Sequence, residues 1–223
     1  MRKKGFFITF EGPEGSGKTT QANLLYQYLL SLGYPVILTR EPGGTSIGER
    51  IRAILHDPAC SEMLPTTEIL LYSASRAQIV GQVIKPALDE GKIVICDRYA
   101  DSTMAYQGYG HGLDLEVLRL ITAFATGGLS PDLTFYLDLE VEEGLKRKRK
   151  AFERGESEWT RMDQKELAFH RRVRQGYLEL ASLEPSRWII LNALEPVETI
   201  QARIRSIVEE RLREVDIGHR QQN

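Results

Sequence analysis

Apolar residues fall along this chain in two alternating rhythms. Short unbroken runs, such as Phe6-Phe7-Ile8-Thr9-Phe10 and Ile93-Val94-Ile95-Cys96, are rich in β-branched and aromatic side chains and have no polar face. Between them lie longer stretches where apolar residues return every three or four positions, as Ala22, Leu25, Tyr28, Leu29 and Leu32 do. The first rhythm predicts strands covered on both faces and the second predicts amphipathic helices. Strands are placed over 6–10, 35–39, 92–96, 133–138 and 187–191, and helices over 18–32, 46–56, 66–90, 114–126, 140–152, 163–183 and 196–214. Gly33, Gly91 and Gly127 stand where helices should stop, and Pro196 stands where the last one should begin. Alternation of this kind implies a three-layer α/β/α fold around a five-stranded, mostly parallel sheet. Ligands of such sheets bind beyond the carboxyl ends of the strands.

The loop after the first strand names the ligand class. Gly12-Pro13-Glu14-Gly15-Ser16-Gly17-Lys18-Thr19 reads G-x-x-x-x-G-K-T between a strand and a helix. This is a phosphate-binding P-loop. Its glycines allow a tight turn that points backbone N–H groups inward, and the following helix adds its positive end. Lys18 can reach the outer phosphates of ATP, the Thr19 hydroxyl can ligate Mg²⁺, and Thr20 continues the ATP-binding stretch.

Two more charged segments come directly after strands and should meet the loop at the same sheet edge. Asp97-Arg98 ends the third strand: the aspartate suits Mg²⁺ or its waters, and the arginine suits a phosphate. A strand-end ion pair without a ligand is the plainer reading of the two residues alone. Arg40-Glu41-Pro42-Gly43-Gly44-Thr45 comes after the second strand and reads either as an acceptor-binding loop or as a surface turn.

Composition excludes more than it adds. The chain has 223 residues with 29 basic and 31 acidic side chains, a net charge of −2. No broad basic face for nucleic acid is implied, and no run approaches the roughly 18 apolar residues of a membrane span. The basic start Met1-Arg2-Lys3-Lys4 leads through five apolar residues into the P-loop and is not read as a signal peptide. Cys60 and Cys96 lack metal-ligand spacing, which fits a reducing cytoplasm. One domain over 1–223 is expected, its tail at 218–223 polar and frayed.

Together the P-loop, Arg-Glu-Pro-Gly-Gly-Thr, and Asp-Arg-Tyr followed by Ser102, Thr103, Tyr106 and Gln107 resemble the bacterial thymidylate kinases. The likeness continues through Tyr72-Ser73-Ala74-Ser75-Arg76, Val83–Leu88 and Ser130–Leu133, to about Glu210. It implies transfer of the ATP γ-phosphoryl group to dTMP with Mg²⁺, in a cytoplasmic homodimer. By the resemblance, Tyr72 stacks on the base, Arg76 bonds its carbonyl, Thr103 and Gln107 read its edge, and Tyr106 packs under the sugar. Arg40, Glu41, Arg98 and Ser102 would belong to the substrate site, and Thr19 with Asp97 to the metal. Without the resemblance, Tyr72 reads as a core aromatic.

The run Lys146-Arg147-Lys148-Arg149-Lys150, with Arg154 and Arg161 beyond it, reads by itself as a solvated helix face or a nucleic-acid patch. The resemblance makes the segment 145–162 a lid over ATP. The P-loop carries Glu14 and no arginine, so a lid arginine is expected to steady the transferring phosphoryl group. Arg161, in Thr160-Arg161-Met162-Asp163, is the first candidate, with Arg149 and Arg154 behind it. A kinase for another nucleoside monophosphate, or a non-catalytic ATP-binding module, would share the P-loop. No Asn-Lys-x-Asp guanine-reading motif is present.

Overall fold

Side chains along the first strand, β1 (Phe6–Glu11), alternate between two helical layers. Phe6, Ile8 and Phe10 pack with Ala22, Leu25 and Leu29 and with Ile200, Ile204 and Val208. Phe7 packs on the opposite face with Ile79, Val80 and Ile84. Both faces are dry, so the strand reads as a continuous apolar run. The chain is described here by a computed structural model of residues 5–215. The basic start at 1–4 and the tail at 218–223 lie outside the described residues.

The sheet has five parallel strands in the order β2-β3-β1-β4-β5, with β2 at Val36–Arg40, β3 at Ile93–Asp97, β4 at Leu133–Asp138 and β5 at Trp188–Asn192. It is therefore wholly parallel, where a mostly parallel one was expected. Helices α1 (Lys18–Ser31) and α9 (Val197–Glu214) cover one face. The other face is covered by α3 (Pro65–Ile79), α4 (Lys85–Asp89), α5 (Ala100–Thr103), α6 (Leu115–Thr126) and α8 (Leu167–Leu183). The remaining helices, α2 (Ser46–His56) and α7 (Val141–Glu153), flank the carboxyl edge of the sheet. Among the described residues no helix is long and apolar enough to cross a membrane.

Register decides what meets at that edge. Phe10 lies opposite Asp97, and Asp97 lies opposite Arg40. The residues that leave β1, β3 and β2 are thus level with one another, and three charged segments emerge side by side.

Three elements differ from the sequence reading. The helix expected over 66–90 is interrupted by a π-helical turn at Val80–Ile84 before α4. Pro86 has no N–H to give the carbonyl four residues back, and the wider turn ends just ahead of it. The helix expected over 163–183 opens with a separate 3₁₀ turn, Met162–Gln164. The segment after β3 is helical, α5 running into a π-helical stretch Met104–Gly110, where no helix was expected. Six of those seven residues are buried, so no polar face marks the helix in the sequence. Its Gly110 is a packing residue: a Cβ there would lie 2.7 Å from the Phe169 ring.

Candidate active site

The P-loop is held by close approaches that only glycine permits. Gly12 has φ 146°, and a Cβ there would lie 2.6 Å from the Leu137 carbonyl oxygen. Lys18 opens α1 but turns back over the loop, with its ammonium donating to the Pro13 carbonyl at 2.8 Å and to Ser16 Oγ at 3.3 Å. Burial lowers its pKa to about 8, assisted by Arg98 and opposed by Glu14 and Asp97. The Thr19 hydroxyl donates to the Asp97 carboxylate. Thr19 and Asp97 together form a pair of hard oxygen donors where the loop meets β3.

Arg98 is the hinge between the loop and the rest of the site. It is the one non-glycine residue among those described with positive φ, 69°, a conformation that costs an L-residue about 1–3 kcal/mol. The turn is pinned on both sides: Arg98 N donates to the Phe10 carbonyl at 2.9 Å, and Tyr99 N to Glu11 Oε1 at 2.8 Å. The guanidinium sits 5.0 Å over the Tyr106 ring, pairs with Glu14 at 2.6 Å, and donates to the hydroxyls of Tyr106, Ser102 and Tyr177. Burial would raise the Glu14 carboxyl, but Arg98 and Lys18 hold it well below the usual carboxylate range.

A second arginine is enclosed completely. Arg76 donates from Nε to Glu41 at 2.8 Å, from Nη1 to Thr103 Oγ1 at 2.9 Å, and from Nη2 to the Tyr99 carbonyl at 3.2 Å. Burial raises the Glu41 pKa to about 7, with Arg76 opposing it. The other oxygen of Glu41 is buried without a partner.

These groups line one cavity of about 540 Å³. It brings together Glu14, Gly15, Gly17, Lys18, Thr19 and Thr20 of the loop, Arg40 and Glu41 after β2, and Asp97 and Arg98 after β3. Tyr72, Arg76, Ser102, Thr103, Tyr106 and Gln107 line it from the α3–α5 side. Gly12, Pro13 and Ser16 shape the loop from behind and are not in the lining.

The arginines expected of a lid lie outside the cavity lining. Arg161 is buried against Glu68 and donates to the Leu55 carbonyl at 3.3 Å, so it faces α2 and α3. Arg149 and Arg154 are exposed and paired with Glu153 and Glu156. The cations of this segment that do line the cavity are Arg147 and Lys148. Helical phase explains the difference, because Arg147 and Lys148 lie on the inward side of α7 and Arg149 comes next on the outer side.

Sequence reasoning missed several further residues. Glu11 ends β1 on a buried position and accepts hydrogen bonds from Ser102 at 2.6 Å and Tyr177 at 2.8 Å; burial and Asp101 raise its pKa. A carboxylate at the last position of an otherwise apolar strand was the available signal. Arg52 and His56 of α2 line the cavity as well and meet Glu158 of the segment 145–162 at 3.8 and 3.6 Å. Burial lowers the His56 pKa to about 4, with Arg52 adding to the effect.

The family model for thymidylate kinase matches residues 10–204. The chain belongs to the thymidylate kinase family. It is 57% identical over 211 residues to a thymidylate kinase of Roseiflexus castenholzii, covering 91% of this chain and 92% of that one. To the thymidylate kinase of Deinococcus radiodurans it is 53% identical over 208 residues, covering 93% and 98%. The crystal structure of thymidylate kinase from Ehrlichia chaffeensis superposes with a TM-score of 0.73 at 34% identity, over 92% of this chain and 99% of that one. The cavity of this kinase is thus built on the P-loop fold its sequence implied.

Proposed function

We propose that this kinase transfers the γ-phosphoryl group of ATP to the 5′-phosphate of dTMP, giving ADP and dTDP. Phosphorylation of dTMP is the activity of its family. The observation that carries the reading is that Lys18 and the Thr19–Asp97 pair line the same cavity as Arg76, Thr103 and Gln107. A donor nucleotide on the P-loop and an acceptor beside Arg76 would meet head to head between Lys18, Arg98 and Arg40.

No general base is required. A phosphate monoester has its second pKa near ~6, so the acceptor oxygen is anionic at neutral pH. That oxygen attacks Pγ, the bond from Pγ to the bridging oxygen breaks, and its electron pair leaves on the β-phosphate of ADP. The work of the protein is to offset the repulsion of two polyanions and hold the reacting oxygens in line. Lys18 is assigned to the donor phosphates and Arg98 and Arg40 to the acceptor phosphate. The Thr19 hydroxyl and Asp97 carboxylate fit Mg²⁺, which takes few protein ligands and keeps phosphate oxygens and water. When bound, it would screen charge on the donor phosphates.

On the acceptor, Tyr72 and Arg76 are assigned to the base, with Thr103 and Gln107 at its edge and Tyr106 beneath the sugar. Lid residues 145–162 are assigned to closure over ATP, with Arg147 and Lys148 the cations nearest the phosphates. A cytoplasmic location fits two unpaired cysteines, one of them buried. A homodimer is proposed through α6, where Val117, Leu120 and Phe124 form an exposed apolar row, with α3 packed alongside and exposing Leu70.

The test is ADP and dTDP formation from ATP, Mg²⁺ and a panel of acceptors: dTMP, dUMP, dCMP, dGMP and ribosyl-TMP. dTMP should be the preferred acceptor, with dUMP slower by the ~1–3 kcal/mol that one buried methyl group is worth. Uptake of ATP and dTMP without any diphosphate product would overturn the reading.

A further inference from the structure

Glu68 of α3 has no exposed surface, and its two oxygens serve different parts of the molecule. Oε1 accepts the Gln107 side-chain amide at 2.6 Å and lies 3.1 Å from His111 Nε2. Oε2 pairs with Arg161 of the lid segment. Burial would raise its pKa, but His111, Arg161 and Gln107 bring it down to about 2. The group is therefore an anion at neutral pH and can only accept hydrogen bonds.

That one-sidedness has a consequence for Gln107. A glutamine amide offers a donor and an acceptor, and rotation exchanges them at little cost unless a partner chooses. Glu68 chooses: the NH₂ group is drawn into the protein. With its nitrogen engaged by Glu68, the acceptor that Gln107 can offer the cavity it lines beside Arg76 and Tyr72 is its carbonyl oxygen.

We propose that Glu68 is a positioning residue that locks Gln107 as a hydrogen-bond acceptor, and so selects a pyrimidine presenting a ring N–H, as thymine does, over one whose ring nitrogen is itself an acceptor, as in cytosine. This rests on the assignment of the Gln107 end of the cavity to the acceptor base.

Glu68→Gln makes a sharp test because a neutral amide cannot satisfy all three partners. It has one oxygen where Glu68 has two. Arg161, a buried cation, takes that oxygen most strongly. The NH₂ group of the new side chain then faces Gln107, whose amide must rotate and present its own NH₂ to the cavity. The acceptor is replaced by a donor at the point where the base is read.

The experiment measures kcat/KM for dTMP and for 5-methyl-dCMP, which keeps the methyl group and the sugar and differs only along the ring edge. Arg76 is the same in both enzymes, so its preference cancels in the comparison. The ratio of dTMP to 5-methyl-dCMP should fall about tenfold or more in the variant, the order of one mismatched buried hydrogen bond. Equal losses on both acceptors would make Glu68 a merely structural residue and overturn the proposal. Should Glu68→Gln fail to fold, Gln107→Leu decides. It removes the acceptor, so the ratio of dTMP to 5-methyl-dCMP should fall in the same way, and an unchanged ratio overturns the proposal. Absence of dTDP formation by the unaltered enzyme is a different result, and contradicts the function rather than the role of Glu68.

Discussion

Glu14 of the P-loop and Arg98 beyond β3 form an ion pair at 2.6 Å, joining the P-loop to the turn that leaves β3. Arg98 reaches this partner from a left-handed backbone conformation held by Phe10 and Glu11. Its planar fork then serves Glu14 and three hydroxyls together. Lysine would keep the charge and lose the fork. Arg98→Lys should lower kcat/KM for dTMP by about 10²-fold, read by steady-state kinetics. Near-normal kinetics would show that Arg98 acts only as a point charge.

Lys18 sets stability against function. Its pKa is about 8 in the folded chain against an ordinary 10.5, chiefly through burial. Below pH ~8 both the folded and unfolded states carry the proton, so the burial penalty is present in full. It is relieved as the pH rises from ~8 towards 10.5. Lys18→Met should therefore stabilise the nucleotide-free protein at pH ~7 by ~1–3 kcal/mol while lowering kcat by about 10²–10³-fold. Denaturant unfolding and turnover check the two halves, and a lower unfolding midpoint would contradict the first.

Glu41 carries a pH dependence into the part of the cavity that Arg76 lines. Burial raises its pKa to about 7, and its ionised form is the one that anchors Arg76. For a carboxyl raised in the folded state, the contribution to stability is full below its unfolded pKa of ~4.5 and is lost as the pH rises through ~7. Ligand binding should run the other way, because the Arg76 fork is held best by the anion. Thymidine has no phosphate to titrate in this range and is the suitable probe. Its affinity should increase as the pH rises through ~7 and be flat in Glu41→Gln, measured by calorimetry. A slope shared by both proteins would exclude Glu41 as its source.

The segment 145–162 carries cations of two kinds. Arg161 is buried with Glu68, and breaking a buried pair from one side costs ~3–5 kcal/mol. Arg161→Met should therefore lower the unfolding free energy by that order. Arg147→Ala and Lys148→Ala should leave stability nearly unchanged and reduce kcat by about tenfold or more, since both line the cavity. Arg149→Ala and Arg154→Ala should remain within about twofold of the parent, because exposed pairs with Glu153 and Glu156 are worth little. A large loss of kcat in either would return the catalytic role to the outer side of α7.

On α6, Leu120 is 72% exposed and Phe124 is 92% exposed, a poor arrangement for a surface that stays in water. Leu120→Glu with Phe124→Glu should convert a dimer to a monomer in sedimentation velocity. A monomeric parent protein would remove this face as an interface.

Much of the architecture was legible in the chain because the responsible forces are local. Unbroken apolar runs marked all five strands to within about a residue at each end. The P-loop was recognisable because its glycines and Lys18 act within eight consecutive residues. The helix after β3 escaped notice because it is buried nearly all round; its Gly108 marks contact with α6 and its Gly110 contact with α8.

The chain alone could determine the order of its elements and the phosphate chemistry of its first loop, since both depend on neighbours in sequence. Only the tertiary structure decided that Arg161 turns inward to Glu68, that Arg147 and Lys148 reach the cavity, and that Glu11 and Tyr177 brace Arg98. Partners such as Glu68 and Arg161 lie 93 residues apart. Their pairing results from burial, which leaves a charge no water to turn to, and burial is a property of the packed molecule that no local pattern encodes.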